Sequence, residues 1–132
     1  MDEALFPLAK AAMAQAYAPY SKFHVGAAIR SRSGKYFSGC NVENAAYPEG
    51  CCAEASAISA MIHAGERRIA EIVVVGKGEP LVTPCGGCRQ KIREFADAKT
   101  LVHVCGPEGL RQTFTLAELL PQAFGPNNLS EE

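Results

Sequence analysis

Apolar and polar positions along the chain follow helical spacing in some segments and strand patterns in others. Residues 5–17 carry apolar side chains at helical intervals and many alanines, the best helix formers, so they predict a helix. Residues 69–76 contain the unbroken apolar run Ile-Val-Val-Val, which is typical of a strand buried on both faces. Helix and strand patterns alternate along the chain, which favours a layered α/β fold.

Shorter segments complete the predicted fold. The turn Ser33-Gly34-Lys35 joins two strand-like segments into a hairpin, so we expect a mixed sheet rather than a wholly parallel one. We predict a single domain over residues 1–132, a three-layer α/β/α sandwich with a mixed five-stranded sheet, and a frayed polar tail at 125–132. The strands are predicted at 23–29, 35–40, 69–76, 101–105 and 111–114, and the other helices at 52–64, 86–95 and 116–124, the last interrupted by Pro121.

Composition narrows the functional classes. The chain has 132 residues, 48% of them apolar, with 13 basic and 14 acidic side chains. Because basic and acidic side chains nearly balance, the chain lacks the excess of basic residues that is typical of nucleic-acid-binding proteins. We therefore expect no nucleic-acid partner. No apolar run approaches the ~20 residues of a membrane span. The acidic start Met1-Asp2-Glu3 lacks the positive region of a signal peptide, so we expect a cytoplasmic protein without a membrane partner.

Three cysteines and one glutamate carry the candidate chemistry: Cys52, Glu54, Cys85 and Cys88. Three thiolates leave one position open on a tetrahedral zinc ion, and an open position is typical of a catalytic site. The two half-motifs, separated by 32 residues, both lie at predicted helix starts, where unpaired N–H groups stabilise thiolates. Glu54 follows the first ligand closely enough to move protons to and from a water in the open position. Without these cysteines, Glu54 would be an ordinary first-turn acid that stabilises the helix dipole.

The cysteines allow other interpretations. Cys85 and Cys88 alone would fit a redox pair. A closed structural zinc site would need a fourth ligand, Cys51 or Cys105. Adjacent Cys51 and Cys52 point in different directions at a helix start, which disfavours their binding one metal together. The cysteines outside the catalytic set are expected to be small buried hydrophobes: Cys40, Cys51 and Cys105.

Six motifs, in order, carry a family resemblance. They are Pro-Tyr-Ser-Lys-Phe at 19–23, Val-Gly-Ala-Ala at 25–28, Asn-Val-Glu-Asn-Ala at 41–45, Cys-Ala-Glu at 52–54, Pro-Cys-Gly-Gly-Cys-Arg-Gln at 84–90 and Leu-Leu-Pro-Gln-Ala-Phe at 119–124. Over nearly its whole length the chain resembles the small homotetrameric cytidine deaminases. The resemblance implies zinc-dependent hydrolysis of cytidine and 2′-deoxycytidine to uridine and 2′-deoxyuridine with release of ammonia, in pyrimidine salvage. It also implies one Zn²⁺ per chain and a homotetramer with shared active sites.

The resemblance assigns substrate contacts to matched residues. Asn41 and Glu43 would bind the ribose 3′-hydroxyl, because an amide and a carboxylate suit a group that both donates and accepts. Turn chemistry is the alternative for that pair. Phe23 would pack on the pyrimidine ring, or would otherwise be strand core.

Further contacts implied by the resemblance involve the base edge and a neighbouring subunit. The Ala53 N–H and the backbone around Thr83 and Pro84 would read the base edge together with the catalytic glutamate. Tyr47 would lie near the ribose across the subunit interface, or would only anchor its loop. Phe124 would reach a neighbouring subunit's site, or would anchor the last helix.

Two features depart from the family pattern. Many members carry an arginine directly after the catalytic glutamate, where it offsets the charge of the zinc-bound thiolates, and this chain has Ala55 there. Arg89 or the Ser56 hydroxyl is the hypothesised substitute. The segment 47–51 is also atypical, so the substrate range could differ.

Three competing functions remain at this point. A deaminase of another aminated heterocycle, such as blasticidin S, is disfavoured by the implied ribose ligands Asn41 and Glu43. A nucleic-acid deaminase is disfavoured by the absent His-x-Glu motif and by the charge balance. A non-catalytic zinc-stabilised binding module would have a closed fourth coordination position and would not depend on Glu54.

Overall fold

A mixed five-stranded sheet forms the centre of the molecule. The structure is a computed structural model that describes residues 1–129. The helices are α1 Leu5–Ala14, α2 Ala53–His63, α3 Gly86–Phe95 and α4 Leu116–Leu119, and the strands are β1 Val25–Ser31, β2 Tyr36–Cys40, β3 Ile69–Gly76, β4 Leu101–Gly106 and β5 Gly109–Thr115. Short 3-10 turns lie at Tyr47–Glu49 and Pro126–Asn128.

The strand order is β2-β1-β3-β4-β5. β3 pairs with β4 in parallel, while the β1–β2, β1–β3 and β4–β5 pairs are antiparallel. The predicted mixed sheet is therefore confirmed. The parallel pair requires a crossover, which α3 provides, and the loop entering α3 runs from the end of β3.

Two hydrophobic clusters lie on opposite faces of the sheet. α1 covers one face with Leu5, Ala9 and Met13, which pack on apolar residues of β1, β3 and β4. The larger cluster joins the other face to α2, α3 and α4. The predicted three-layer α/β/α arrangement is thus confirmed, with both predicted metal half-motifs on the α2–α3 side.

Two glycines allow the helical layers to approach the sheet closely. A Cβ on Gly26 of β1 would lie 1.9 Å from the carbonyl oxygen of Ala9 in α1. On the opposite face, a Cβ on Gly39 of β2 would lie 2.5 Å from the backbone nitrogen of Ala57 in α2. Both contacts are made with helix backbone, so a side chain at either position would displace a helix.

Buried polar side chains form a network across the sheet that the sequence did not predict. Glu71 of β3 accepts a hydrogen bond from Arg30 Nη2 of β1 at 2.9 Å, and its other oxygen lies 2.6 Å from His103 Nε2 of β4. His103 Nδ1 in turn lies 2.8 Å from the Thr113 hydroxyl of β5. Glu71 is 7% exposed and His103 is 2% exposed, so the pair is removed from solvent.

The ends of the chain differ from the predicted pattern. The last helix stops at Leu119 instead of continuing to residue 124, because Leu120 precedes Pro121 and takes a non-helical conformation. The predicted frayed tail includes a 3-10 turn at Pro126–Asn128, and its residues 130–132 lie outside the described residues. Within residues 1–129, no helix combines the length and apolar character needed to span a membrane.

Candidate active site

The three predicted metal ligands converge. The sulfur atoms of Cys52, Cys85 and Cys88 lie within 4.8 Å of one another. Cys52 is the N-cap residue of α2 and Cys85 is the N-cap residue of α3, so both stand at the positive ends of helix dipoles, as predicted. A convergent set of three thiols with no fourth protein ligand among the described residues suits zinc with one open position.

The environments of the three thiols are unequal. Burial raises the pKa of Cys52 and, more strongly, that of Cys88. The pKa of Cys85 is lowered, chiefly because its sulfur accepts a hydrogen bond from the backbone N–H of Cys88. Cys85 is therefore the thiol most readily ionised, and a divalent cation would favour the thiolate form of all three.

Glu54 lies in the first turn of α2 and is 4% exposed. Burial raises the pKa of its carboxyl above the ordinary value, although hydrogen bonds from its own backbone N–H and from Cys88 act in the opposite direction. A carboxyl whose neutral form is favoured can both accept and return a proton near neutral pH. The position and the environment both fit a proton carrier.

A cleft of about 190 Å³ contains most of the predicted site. Its walls include Glu54, the predicted metal ligands Cys52 and Cys85, and the predicted substrate-binding residues Phe23, Asn41, Ala53 and Thr83. Sequence reasoning did not single out Val82, which also lines the cleft and covers Gly76 at the end of β3. The only sequence signal for Val82 is its position beside Thr83.

The predicted ribose ligands make hydrogen bonds to one loop of their own chain. Asn41 donates from Nδ2 to the Phe23 carbonyl at 2.8 Å and accepts at Oδ1 from the Val25 N–H at 2.9 Å. Glu43 accepts from the backbone N–H groups of Tyr20 and Ser21 and from the Ser21 hydroxyl, and these bonds lower the pKa of the Glu43 carboxyl. Both side chains therefore fix the segment that presents Phe23.

Two predicted substrate residues lie in a second cavity. Glu43 and Tyr47 line a space of about 340 Å³ together with Tyr20, Ser21 and Asn44. Tyr47 is 77% exposed and meets the Tyr20 ring edge-on, with 6.1 Å between ring centroids. Glu43 and Tyr47 are thus not among the residues that line the cleft with Glu54.

The last two predicted substrate residues lie off the cleft walls. Pro84 is buried beside Thr83, and its carbonyl accepts a hydrogen bond from Arg89. Phe124 is 57% exposed, and its backbone carbonyl accepts a hydrogen bond from Gln90 Nε2 at 2.9 Å. Phe124 contributes to neither cavity of its own chain.

The remaining residues that the sequence singled out near the metal site also have defined surroundings. The side-chain hydrogen bonds of Arg89 within residues 1–129 go to oxygen atoms and none goes to a cysteine sulfur. Ser56 lies against Gly39 of β2, one turn into α2.

Cys105 is buried as expected, but Cys51 is exposed and Cys40 is half-buried, so the expectation of burial was wrong for these two. Cys51 directly precedes the N-cap of α2 at the surface of the described chain.

The chain matches a family model and named relatives. Residues 1–104 match the model described as the cytidine and deoxycytidylate deaminase zinc-binding region. A cytidine deaminase of Sporosarcina psychrophila is 42% identical over 128 residues, which cover 97% of this chain and 94% of the relative. A cytidine deaminase of Mycobacterium tuberculosis (strain H37Rv) is 38% identical over 122 residues, which cover 92% of this chain and 87% of the relative.

Solved structures agree with the sequence comparison. The crystal structure of cytidine deaminase from Burkholderia pseudomallei superposes with a TM-score of 0.88 at 43% identity, covering 94% of this chain and 99% of that chain. The structure from Mycobacterium leprae gives a TM-score of 0.76 at 38% identity, covering 90% of this chain and 96% of that chain. The matched zinc-binding region contains the convergent thiols, which identifies zinc as the cofactor. From its sequence, its fold and this site, the chain belongs to the cytidine and deoxycytidylate deaminase family.

Proposed function

We propose that the chain hydrolyses cytidine and 2′-deoxycytidine to uridine and 2′-deoxyuridine with release of ammonia, as a cytoplasmic enzyme of pyrimidine salvage. The observation that carries the proposal is the cleft in which Glu54, two of the three converging cysteines and Phe23 meet. The relatives at 38% and 42% identity are named cytidine deaminases, which supports the same substrate class. One catalytic domain spanning 1–132 would carry the activity.

Cys52, Cys85 and Cys88 would hold one zinc ion per chain. When bound, the zinc supplies Lewis-acid activation of water at its open coordination position. The helix N-termini beneath Cys52 and Cys85 offset part of the negative charge that three thiolates bring to the site.

Glu54 would move the protons of the reaction. Its carboxylate takes a proton from the attacking water and passes it to the ring nitrogen next to the reacting carbon. The oxygen of the water bonds to that carbon. Glu54 then takes the second proton from this oxygen and gives it to the amino group, so the carbon–nitrogen bond breaks, ammonia leaves and the carbon–oxygen bond becomes the carbonyl of uridine. Glu54 is 4% exposed, so its carboxyl is largely removed from bulk solvent while it carries these protons.

The cleft walls would hold the nucleoside in place. Phe23 offers a ring face for the pyrimidine, and the backbone of Ala53 and Thr83 offers donors and acceptors for the base edge. Pro84 would support this wall from the adjoining position. Asn41 has a free lone pair on Oδ1 and a second N–H on Nδ2 beyond its two backbone bonds, so it can still bind a hydroxyl.

The active assembly would be a homotetramer with shared sites. Tyr47 and Phe124 are large, exposed and outside the cleft of their own chain, which suits residues that complete a neighbour's site. Burial of such side chains between subunits would remove apolar surface from water and stabilise the assembly.

The test is Glu54→Gln, with Glu94→Gln as the matched control because Glu94 is an acid on α3 whose side chain lies outside the cleft. We expect ammonia release from cytidine to fall roughly 10²- to 10⁴-fold in Glu54→Gln and to stay near wild type in the control. Both variants should retain one zinc per chain by atomic absorption. Full activity of Glu54→Gln would contradict the assignment of the proton carrier.

A wild-type protein with one zinc per chain, no nucleoside turnover and turnover of blasticidin S would overturn the proposed substrate.

A further inference from the structure

Arg89 makes three hydrogen bonds beside the metal site. It follows Cys88 in the first turn of α3 and is half-buried. Its Nε donates to the Pro84 carbonyl at 2.7 Å, its Nη2 donates to the Thr83 hydroxyl at 3.0 Å and its Nη1 donates to the Leu119 carbonyl at 2.9 Å. Each of the three guanidinium nitrogens therefore has its own acceptor.

The acceptors of Arg89 are neutral. Three other arginines of the described chain, Arg30, Arg32 and Arg111, pair with carboxylates, whereas no ion pair involves Arg89 among residues 1–129. A guanidinium presents its donors in a rigid planar fork, so three neutral acceptors at fixed directions select its shape as well as its charge. The contacts therefore indicate that Arg89 holds neighbouring segments in a fixed arrangement.

The three acceptors belong to two segments that border the site. Thr83 and Pro84 precede the metal ligand Cys85, and Thr83 lines the cleft. Leu119 is the last residue of α4, and the chain continues from it to Phe124. Gln90 of α3 donates a further hydrogen bond to the Phe124 carbonyl. Arg89 thus joins the loop entering α3 to the C-terminal segment across the first turn of the helix.

We propose that Arg89 is a positioning residue for the substrate: through the Thr83 hydroxyl and the Pro84 carbonyl it fixes the loop that places Thr83 in the base-binding wall of the cleft, relative to the metal ligands. This inference depends on the proposed deaminase function. It replaces the hypothesis that Arg89 offsets the thiolate charge, because its donors point to oxygen atoms of the loop and of α4.

The variant Arg89→Lys tests the proposal, because lysine keeps the charge and loses the planar fork. We expect kcat/KM for cytidine to fall about 10- to 100-fold, mainly through a higher KM, since up to three charge-assisted hydrogen bonds that position the wall are lost or distorted. Zinc content and the rate of zinc loss to a chelator should stay at the wild-type level. The matched control is Arg67→Lys, since Arg67 also donates to backbone carbonyls, of Ile62 and Glu66, but is exposed and does not line the cleft. The control should keep wild-type kinetics.

A chemical-rescue experiment provides the second measurement. Added methylguanidinium should restore part of the lost kcat/KM of Arg89→Ala, while ammonium at the same concentration should not. The proposal is overturned if Arg89→Lys has a wild-type KM. If that variant also loses zinc faster than wild type, Arg89 instead offsets the charge of the zinc-bound thiolates. Should Arg89→Ala not fold, the lysine variant decides the question alone. Wild-type turnover of cytidine in the same assay separates a failure of this inference from a failure of the proposed function.

Discussion

The side-chain amide of Asn41 holds the backbone of Phe23, with Nδ2 donating to the Phe23 carbonyl at 2.8 Å. The same amide accepts from the Val25 N–H at 2.9 Å, and the Asn41 N–H donates to the Val25 carbonyl at 3.2 Å. Asn41 follows the last residue of β2, so it extends the β1–β2 pairing by side-chain bonds to the point where the aromatic ring enters the cleft. Asn41 therefore helps to fix the backbone that carries the Phe23 ring.

Asn41→Asp should weaken substrate binding. The isosteric carboxylate can still accept from Val25, but it replaces the donor to the Phe23 carbonyl with a second acceptor, and two facing acceptors repel. We expect KM for cytidine to rise about tenfold or more with unchanged zinc content, measured by steady-state kinetics. The matched control is Asn44→Asp, because Asn44 accepts from the Ala46 N–H at 2.9 Å and a carboxylate can do the same. Equal kinetics for both variants would contradict the positioning of Phe23 by Asn41.

The convergence of the three cysteines and the sheet could be predicted from the sequence because their signals are local. Cys85 and Cys88 lie three residues apart at a helix start, and a β-branched run such as residues 69–76 has few alternatives to a buried strand. Pairing Cys52 with that motif required only that two helix starts lie on the same side of the sheet, which the alternation of strands and helices favours.

Contacts between distant segments could not be predicted in the same way. Glu71 and His103 each interrupt an apolar strand, which is the one sequence signal of a buried polar pair, but neither position identifies its partner. The hydrogen bond from Arg89 to Leu119 could not be predicted either, since its acceptor lies 30 residues away and is a backbone carbonyl. Exposure of Tyr47 and Phe124 is likewise a property of the folded surface, not of a local pattern.

Gly26→Ala should destabilise the fold. A Cβ there would lie 1.9 Å from the Ala9 carbonyl oxygen and 2.5 Å from the Met13 nitrogen, so α1 must move away from β1 and loosen its apolar contacts. We expect the free energy of unfolding to fall by about 3 kcal/mol, measured by urea denaturation. Gly86→Ala is the control, because a Cβ at Gly86 meets nothing within 4 Å and should change the free energy by less than about 1 kcal/mol.

Phe124→Ala should impair turnover without affecting the metal. Phe124 is 57% exposed and lies off its own cleft, so an effect on KM would come from a neighbouring copy's site. We expect KM to rise or kcat to fall by roughly tenfold, as for an aromatic anchor of an interface, with one zinc per chain retained. Leu129→Ala removes another large apolar side chain, 76% exposed, and should behave as wild type. Native mass measurement under assay conditions completes the test, since a fully active monomer would contradict shared sites.

Glu71→Gln should remove a stabilisation that depends on pH. Burial by itself would raise the pKa of Glu71, but hydrogen bonds from Arg30 and His103 outweigh burial and leave the pKa below its ordinary value. A carboxyl with a lowered pKa in the folded state stabilises the protein above its unfolded-state pKa, about 4.3, and loses that contribution as pH falls through the folded-state pKa. We therefore expect Glu71→Gln to lower the free energy of unfolding by about 2 kcal/mol at pH 7, and the difference from wild type to shrink below about pH 4.

The matched control for Glu71→Gln is Asp97→Asn. Asp97 accepts from Arg32 Nη2 at 2.5 Å, but both side chains of this pair are about half exposed, 50% for Arg32 and 51% for Asp97. Solvent screens such a pair, so its loss should cost less than about 1 kcal/mol at pH 7. Zinc loss in acid affects wild type and both variants alike, and the comparison therefore uses differences in the free energy of unfolding at each pH. A constant difference between wild type and Glu71→Gln from about pH 7 to about pH 3 would show that the carboxylate charge does not stabilise the strands, and that the pair acts through packing alone.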